Sequence, residues 1–402
     1  MTRYMVTIIC VALTVLLGAQ GEGRCQQGFQ VNARAAVLLD FDSGQLLFEQ
    51  NADEKIEPAS FTKVMTLYVI EDALKRGTIK SNDMVTISER AWTTGGSQMF
   101  LEVGKQVPLE DLLKGIAVVS ANDACVALAE HVAGNVEAFV DQMNQKARDL
   151  SLTNTTFKNA NGLPAEGQCT SARDMAFLAY HYIRDYPQML TLHSTLQFTY
   201  NNITQSNRNG LLKMNVGVDG LKTGYVANAG YHLVATANRE GRRLIAVVMG
   251  ARNWKVREQE ALNLLSYGYR SFVLKKIVRK GDTLKTLPIK RGKLKTLDLV
   301  AEDSVVMTLP VQQKDAVKVT EDIPPQVAAP VKQGQILGKV TVLVGGKKVR
   351  EVNLLAKNDV PKGWQAYWYF GAGILLVLIV IVLMLRLARR RPPSSYELRG
   401  NG

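Results

Sequence analysis

The sequence predicts an α+β domain in which helices cover a sheet, followed by a small all-β domain and a C-terminal transmembrane helix. Three observations carry this reading. Helical segments flank three consecutive strand patterns between about residues 218 and 250. From about residue 277 the helical periodicity vanishes and short β-rich runs take over. The stretch Trp364 to Leu385 contains no charge, enough for a helix of about 33 Å at ~1.5 Å per residue.

Taken in order, the chain of 402 residues opens with Arg3 and an apolar run from Met5 to Leu17, then small and polar residues. This reads as a secretory signal peptide over residues 1–25, with cleavage after Ala19 or Gly21. Residues 26–274 form the first domain. Ala35 to Glu49 reads as a β-hairpin turning at Asp42-Ser43-Gly44. Pro58 stands before a helix that begins around Ser60 and continues through Val64, Met65, Leu67, Val69 and Ile70, an apolar run that predicts burial. Thr94-Gly95-Gly96-Ser97 reads as a flexible loop, and Pro108 to Leu113 as a helix start with acids in its first turn. Helices are expected over 123–133, 136–150 and 171–184, with a loop over 160–170 between the last two. A strand around Lys222 is followed by strands over 230–237 and 243–250, joined by the turn Asn238 to Gly241, and a helix over 256–272 closes the domain.

Residues 275–360 form the all-β domain, with strand candidates at 305–309, 317–319, 340–344 and 347–352 and a Gly345-Gly346 turn. Its start is rich in lysine, from Lys275 to Lys295, which reads as a solvated face or as attraction to an anionic membrane or wall polymer. The spanning helix covers 364–386. Trp364, Tyr367, Trp368 and Tyr369 form an aromatic belt at one end, and Arg386, Arg389, Arg390 and Arg391 sit at the other. The positive-inside rule places residues 387–402 as a short cytoplasmic tail.

The formal net charge is +13, inflated by those arginines, and no nucleic-acid motif is visible, so nucleic acid is not an expected partner. No Cys/His cluster has metal-ligand spacing, and neither metal nor other cofactor is expected. The four histidines are scattered and read as structural or solvated. Cys10 leaves with the signal; Cys25, Cys125 and Cys169 remain, an odd number, with Cys125 in an apolar helix as a core thiol.

The chemistry is carried by three stretches. Ser60 and Lys63 stand three residues apart, one helical turn, so both side chains share a face. A serine is a poor nucleophile unless a base takes its proton, and a lysine serves only if burial or neighbouring cations lower its pKa. Alone, a Ser-x-x-Lys is expected by chance in a chain this long. Ser120-Ala121-Asn122 and Lys222-Thr223-Gly224 change that weight: each of the three patterns occurs once, in this order, at domain-scale spacing. The trio is the signature of class A β-lactamases and penicillin-binding proteins, with a different middle residue in the second motif.

On these motifs, and on Ser120 to Cys125, Leu152 to Phe157, Ser171 to Met175 and Asp219 to Gly224, the sequence resembles a low-molecular-mass penicillin-binding protein, a serine-type D-alanyl-D-alanine carboxypeptidase. The resemblance runs from about Val31 to Lys357. It implies a β-lactamase/transpeptidase-like fold for the first domain and a second domain that holds the first away from the membrane. Relatives usually end in an amphipathic anchor, which a spanning segment replaces here. The implied partners are peptidoglycan stem peptides, β-lactam antibiotics and the inner (cytoplasmic) membrane, with the catalytic body outside the cytoplasm. The implied roles are Ser60 as nucleophile and Lys63 as its proton acceptor, with a pKa lowered by Lys222 and burial. Ser120 relays a proton to the leaving nitrogen, and Asn122 positions Lys63 and the substrate amide. Lys222, Thr223, Gly224 and Arg257 bind the substrate carboxylate, and the backbone N–H groups of Ser60 and Tyr225 hold the oxyanion. Position 225 often carries histidine in relatives. Other readings are a D,D-endopeptidase or a transpeptidase, which share the motifs. A β-lactamase would need a deacylating acid, for which Glu166 lacks the expected neighbours. An inactive scaffold would not keep three intact motifs, and a β-lactam sensor would need a longer tail.

Overall fold

The computed structural model describes residues 29–388. The expected signal peptide, Cys10, Cys25 and the residues after Ala388 lie outside the described residues. The described residues divide into two compact units, one of residues 29–41 and 46–268, the other of 42–45 and 269–388.

The first unit is built on a five-stranded antiparallel sheet. Its strands are β1 (Ala35–Asp40), β2 (Leu46–Gln50), β7 (Val218–Val226), β8 (Gly230–Arg239) and β9 (Arg242–Ala251), in the order β2-β1-β9-β8-β7. Two small two-stranded sheets lie apart from it: β3 (Met84–Thr86) with β4 (Gln106–Pro108), and the hairpin of β5 (Gln197–Tyr200) with β6 (Ile203–Ser206). All six residues of β1 are buried, and β8 and β9 each carry six consecutive buried positions. A sheet covered on both faces has no solvent side, which is why these strands read as unbroken apolar runs instead of alternating.

Apart from two four-residue helices, Glu89–Trp92 and Leu190–His193, the helices of this unit are α1 (Thr62–Arg76), α2 (Leu109–Lys114), α3 (Asn122–Ala133), α4 (Val136–Asp149), α5 (Ala172–Asp185) and α6 (Trp254–Ser271). α5 packs on β1 and β9, and α1 sits among α3, α4 and α5, buried at eleven of its fifteen positions. α6 approaches the sheet at Gly268, where a Cβ would come within 2.6 Å of Leu38 and 2.7 Å of Leu244. Asn135 and Ser171 cap α4 and α5 through side-chain oxygens that accept from Ala138 N and Asp174 N.

The second unit is all-β. A six-stranded sheet runs β14-β16-β17-β12-β11-β15, beside a hairpin-like pair β10–β13. The ranges are β10 (Phe272–Val278), β11 (Thr283–Lys290), β12 (Thr296–Ala301), β13 (Val305–Pro310), β14 (Val317–Asp322), β15 (Val327–Ala328), β16 (Ile336–Val344) and β17 (Lys347–Ala356). The lysine-rich start, which carried no strand expectation, holds β10, β11 and β12: charged outward positions hid the apolar ones, Leu287, Leu297 and Leu299, that fill the core. α6 accordingly ends at Ser271, and Phe272 begins a strand. A last helix, α7 (Gln365–Ala388), is the one helix among the described residues long and apolar enough to cross a membrane, with mean hydropathy 2.8 over Phe370–Leu387.

Core and cap contribute on different scales in α4. Phe139→Ala removes a fully buried ring and should cost about 3–5 kcal/mol. Asn135→Ala should cost about 1 kcal/mol. Thermal unfolding of the two variants beside the parent checks both.

Candidate active site

Ser60 sits on a single 3₁₀ turn, Ala59–Phe61, that runs directly into α1. The turn is forced into shape: Ala59 takes φ +48°, a left-handed conformation that costs a non-glycine residue about 1 kcal/mol or more. The neighbours hold it there. Gly162, itself at φ +82°, lies so close that a Cβ on it would come within 1.8 Å of the Ala59 carbonyl oxygen, and a Cβ on Gly224 would come within 3.3 Å of the Ala59 Cβ. His232 braces the same segment from β8. Its Nδ1 accepts from Gly250 N at 2.9 Å, so its Nε2 carries the hydrogen and donates to the Glu57 carbonyl at 3.1 Å. Burial holds the His232 pKa down to about 4, so the brace stays neutral.

One turn into the helix, Lys63 is fully buried. Its Nζ lies 3.1 Å from Ser60 Oγ, 2.7 Å from Asn122 Oδ1 and 2.5 Å from the Asn161 carbonyl oxygen. Burial brings its pKa down to about 8; Arg208 pushes the same way, and Cys125 and Asp123 oppose. The sequence reading gave Lys222 a share in that depression. The cation acting on Lys63 is instead Arg208. Lys222 is not among the groups that set the Lys63 shift, and is itself lowered well below the ordinary lysine value by burial and next by Lys63. Cys125 is a buried thiol whose pKa is pushed up to about 12 by burial.

The second stretch folds around backbone strain of its own. A π-helical turn, Gly115–Val119, ends at Ser120, which takes φ +65°, ψ +38°, and α3 begins two residues later at Asn122. That kink aims Ser120 Oγ at Ser60 Oγ, to which it donates at 3.0 Å. Asn122 ties three segments together. Besides accepting from Lys63, its Nδ2 donates to the Gly95 carbonyl and its backbone N–H to the Ser97 carbonyl, both at 2.7 Å. The Thr94–Ser97 segment, expected to be flexible, is therefore pinned. Gly96 is required there, since a Cβ would fall 2.6 Å from Asn122 Nδ2. Buried Asp123 extends the anchorage by accepting from Met99 N at 3.1 Å and Leu101 N at 3.2 Å.

The third stretch lies on β7. Lys222 is buried and its Nζ donates to the Thr223 carbonyl at 3.2 Å. Ser60, Ser120, Asn122, Thr223, Gly224, Tyr225 and Arg257 all line one cleft of about 550 Å³, with Lys63 and Lys222 buried behind its wall. Arg257, on the first turn of α6, donates from Nη2 to Glu258 Oε1 at 3.0 Å and to the Arg208 carbonyl at 3.3 Å, while its buried Nε has no hydrogen-bond partner among the described residues. Glu166 is exposed and does not line the cleft.

Sequence reasoning missed Arg208, the Asn161 carbonyl, the His232 brace, and the aromatic residues Tyr231 and Trp254 that share the cleft. A backbone carbonyl has no sequence signature of its own. The Asn161-Gly162 pair, a turn signal, was the only hint of a tight approach at that place.

Fold and site together define a serine–lysine acyl-transfer centre: a hydroxyl beside a buried amine of lowered pKa, in a cleft walled by cations. Comparison with known proteins refines this. Residues 22–253 match the D-alanyl-D-alanine carboxypeptidase family, and residues 272–362 match the family described as penicillin-binding protein 5, C-terminal domain. The D-alanyl-D-alanine carboxypeptidase DacC of Escherichia coli (strain K12) is 43% identical over 341 residues, covering 83% of this chain and 85% of its own. DacF of Bacillus subtilis (strain 168) is 36% identical over 350 residues, 86% of this chain and 90% of its own. Penicillin binding protein 5 from Haemophilus influenzae superposes with TM-score 0.75 at 41% identity, covering 83% of this chain and 99% of that one. The chain belongs to the D-alanyl-D-alanine carboxypeptidase family.

The close approach beneath Ala59 yields a test. Gly162→Ala must displace either the nucleophile turn or the loop that supplies the Asn161 carbonyl, and it also forces alanine into φ +82°. The variant should lose at least about 2 kcal/mol of stability, read as a lowered thermal midpoint.

Proposed function

We propose that this chain is a serine D-Ala-D-Ala carboxypeptidase that removes the terminal D-alanine from peptidoglycan pentapeptide stems and is acylated by β-lactams. The observation that carries the reading is the coordination of Lys63. A neutral amine has two hydrogens and one lone pair. Asn122 Oδ1 and the Asn161 carbonyl are acceptors only, so they take the two hydrogens and leave the lone pair facing Ser60 Oγ at 3.1 Å. That is the arrangement a general base needs.

In this mechanism Ser60 Oγ attacks the carbonyl between the last two D-alanines as its proton passes to Lys63 Nζ. The backbone N–H groups of Ser60 and Tyr225 hold the oxyanion that forms. Ser120, 3.0 Å from Ser60 Oγ, relays a proton to the departing nitrogen. Asn122 positions Lys63 and the substrate amide. Lys222, Thr223 and Arg257 hold the terminal carboxylate, and Gly224 lets the substrate backbone approach. The C–N bond breaks, D-alanine leaves, and water cleaves the Ser60 ester to regenerate the hydroxyl. The exposed position of Glu166 favours slow β-lactam deacylation over β-lactamase activity.

For placement in the cell, we read residues 1–25 as a cleaved export signal, 26–274 as the catalytic domain, and 275–360 as a spacer. We read 364–386 as a single span of the inner membrane and 387–402 as its cytoplasmic tail. The catalytic body then stands on the periplasmic side, where its polymeric substrate lies.

D-Alanine release from a pentapeptide muropeptide by the detergent-solubilised chain should be abolished by Ser60→Ala and lowered about 10²–10⁴-fold by Lys63→Met. Release that persists in Ser60→Ala would overturn the assignment. Because Lys63 must be neutral to accept a proton, and its pKa lies at about 8, the rate of Ser60 acylation by benzylpenicillin should climb as pH rises from 6.5 to 9.5 and reach half its plateau near 8. A rate that is flat across that range would exclude Lys63 as the base.

A further inference from the structure

Three aromatic residues that line the cleft, Tyr225, Tyr231 and Trp254, have rings not used by this mechanism. Tyr225 is 57% exposed, the one exposed position in a strand otherwise buried or half-buried. Its ring packs on that of Tyr231, its direct cross-strand partner, with centroids 4.4 Å apart and planes tilted by 38°. Trp254, 51% exposed, lines the same cleft, with Lys255 Nζ over its ring at 5.5 Å from the centroid. Exposed aromatic surface gathered in a cleft marks a place where something apolar is received.

The position of this wall says what it receives. Tyr225 follows Thr223 by two strand residues, so the two side chains share a face about 7 Å apart. Trp254 precedes Arg257 by three helical residues, so those two are neighbours on α6. Tyr231 and Arg257 both line the cleft. The rings thus line the same cleft as Thr223 and Arg257, the groups assigned to the substrate's terminal carboxylate, and two of them are direct neighbours of those groups on β7 and α6. In an amino acid the carboxylate and the first side-chain carbon are bonded to the same Cα. A carboxylate seated on Thr223 and Arg257 therefore brings the side chain of the leaving residue against the wall.

We propose that Tyr225, Tyr231 and Trp254 form a subsite for the side chain of the leaving D-amino acid, and that the enzyme accepts stems ending in bulky apolar D-residues such as D-leucine or D-phenylalanine as well as D-alanine. The inference rests on the carboxypeptidase reading above. D-Alanine remains a substrate, because an apolar wall rewards a larger side chain without penalising a methyl group strongly.

The test compares kcat/KM for three pentapeptides that differ only in the last residue, D-alanine, D-leucine or D-phenylalanine, using the full chain. Ratios within one variant cancel any loss of folded protein. In the parent the D-phenylalanine to D-alanine ratio should be one or greater. Tyr225→Ala and Trp254→Ala should each lower it about tenfold, while Tyr225→Phe, which keeps the ring, should hold it. Release of D-alanine with a low parent ratio, or a ratio that neither alanine variant changes, would overturn the subsite and leave the carboxypeptidase reading standing. No release from any of the three peptides would overturn both.

Discussion

The site depends on one buried amine. Among the described residues Lys63 has no carboxylate within hydrogen-bonding distance; its polar neighbours are a serine hydroxyl, a carboxamide oxygen and a backbone carbonyl. Each neutral acceptor compensates an N–H without stabilising a full charge as a carboxylate would. The interior around Lys63 therefore lowers the affinity for the extra proton while fixing the nitrogen in place. A carboxylate in either acceptor position would tighten the lysine and disable it as a base.

Holding those acceptors in position explains much of the surrounding strain. Asn161 reaches Lys63 because Gly162 presses against Ala59. Asn122 reaches it because α3 starts immediately after the left-handed kink at Ser120 and is tied through Gly95 and Ser97 to a loop that Asp123 anchors further along. His232 fixes the chain just before Ser60 from the opposite side. Two non-glycine residues at positive φ, Ala59 and Ser120, thus flank the two hydroxyls that meet, and the packed core around α1 and α3 carries the cost of both.

Much of this was legible in the sequence because it is local. The Ser60–Lys63 pair is set by helical spacing. The hairpin at 35–49 and the strand series after 218 are set by turn residues between apolar runs. What escaped is non-local or has no side-chain signature: the carbonyl of Asn161, the histidine brace, and Arg208 as the cation acting on Lys63. The Thr94–Ser97 segment misled for a related reason. Its glycines mark close contact with Asn122, not freedom, and composition alone does not separate those two uses. The strands β10 to β12 were obscured by lysines on their outward faces.

The burial of Lys63 also makes folding a proton-releasing event between about pH 8 and 10.5. In the unfolded chain this lysine has its ordinary pKa of 10.5, and in the folded chain about 8. Below pH 8 both states carry the proton and the fold bears the full cost of enclosing a cation. Between about pH 8 and 10.5 the unfolded chain binds the proton and the folded one does not, so this residue's contribution to stability improves with rising pH, by on the order of 3 kcal/mol across that span. The base is thus created by the fold itself: between about pH 8 and 10.5 the same serine and lysine on an unfolded chain are an inert alcohol beside an ordinary ammonium ion, while the folded chain holds a neutral amine.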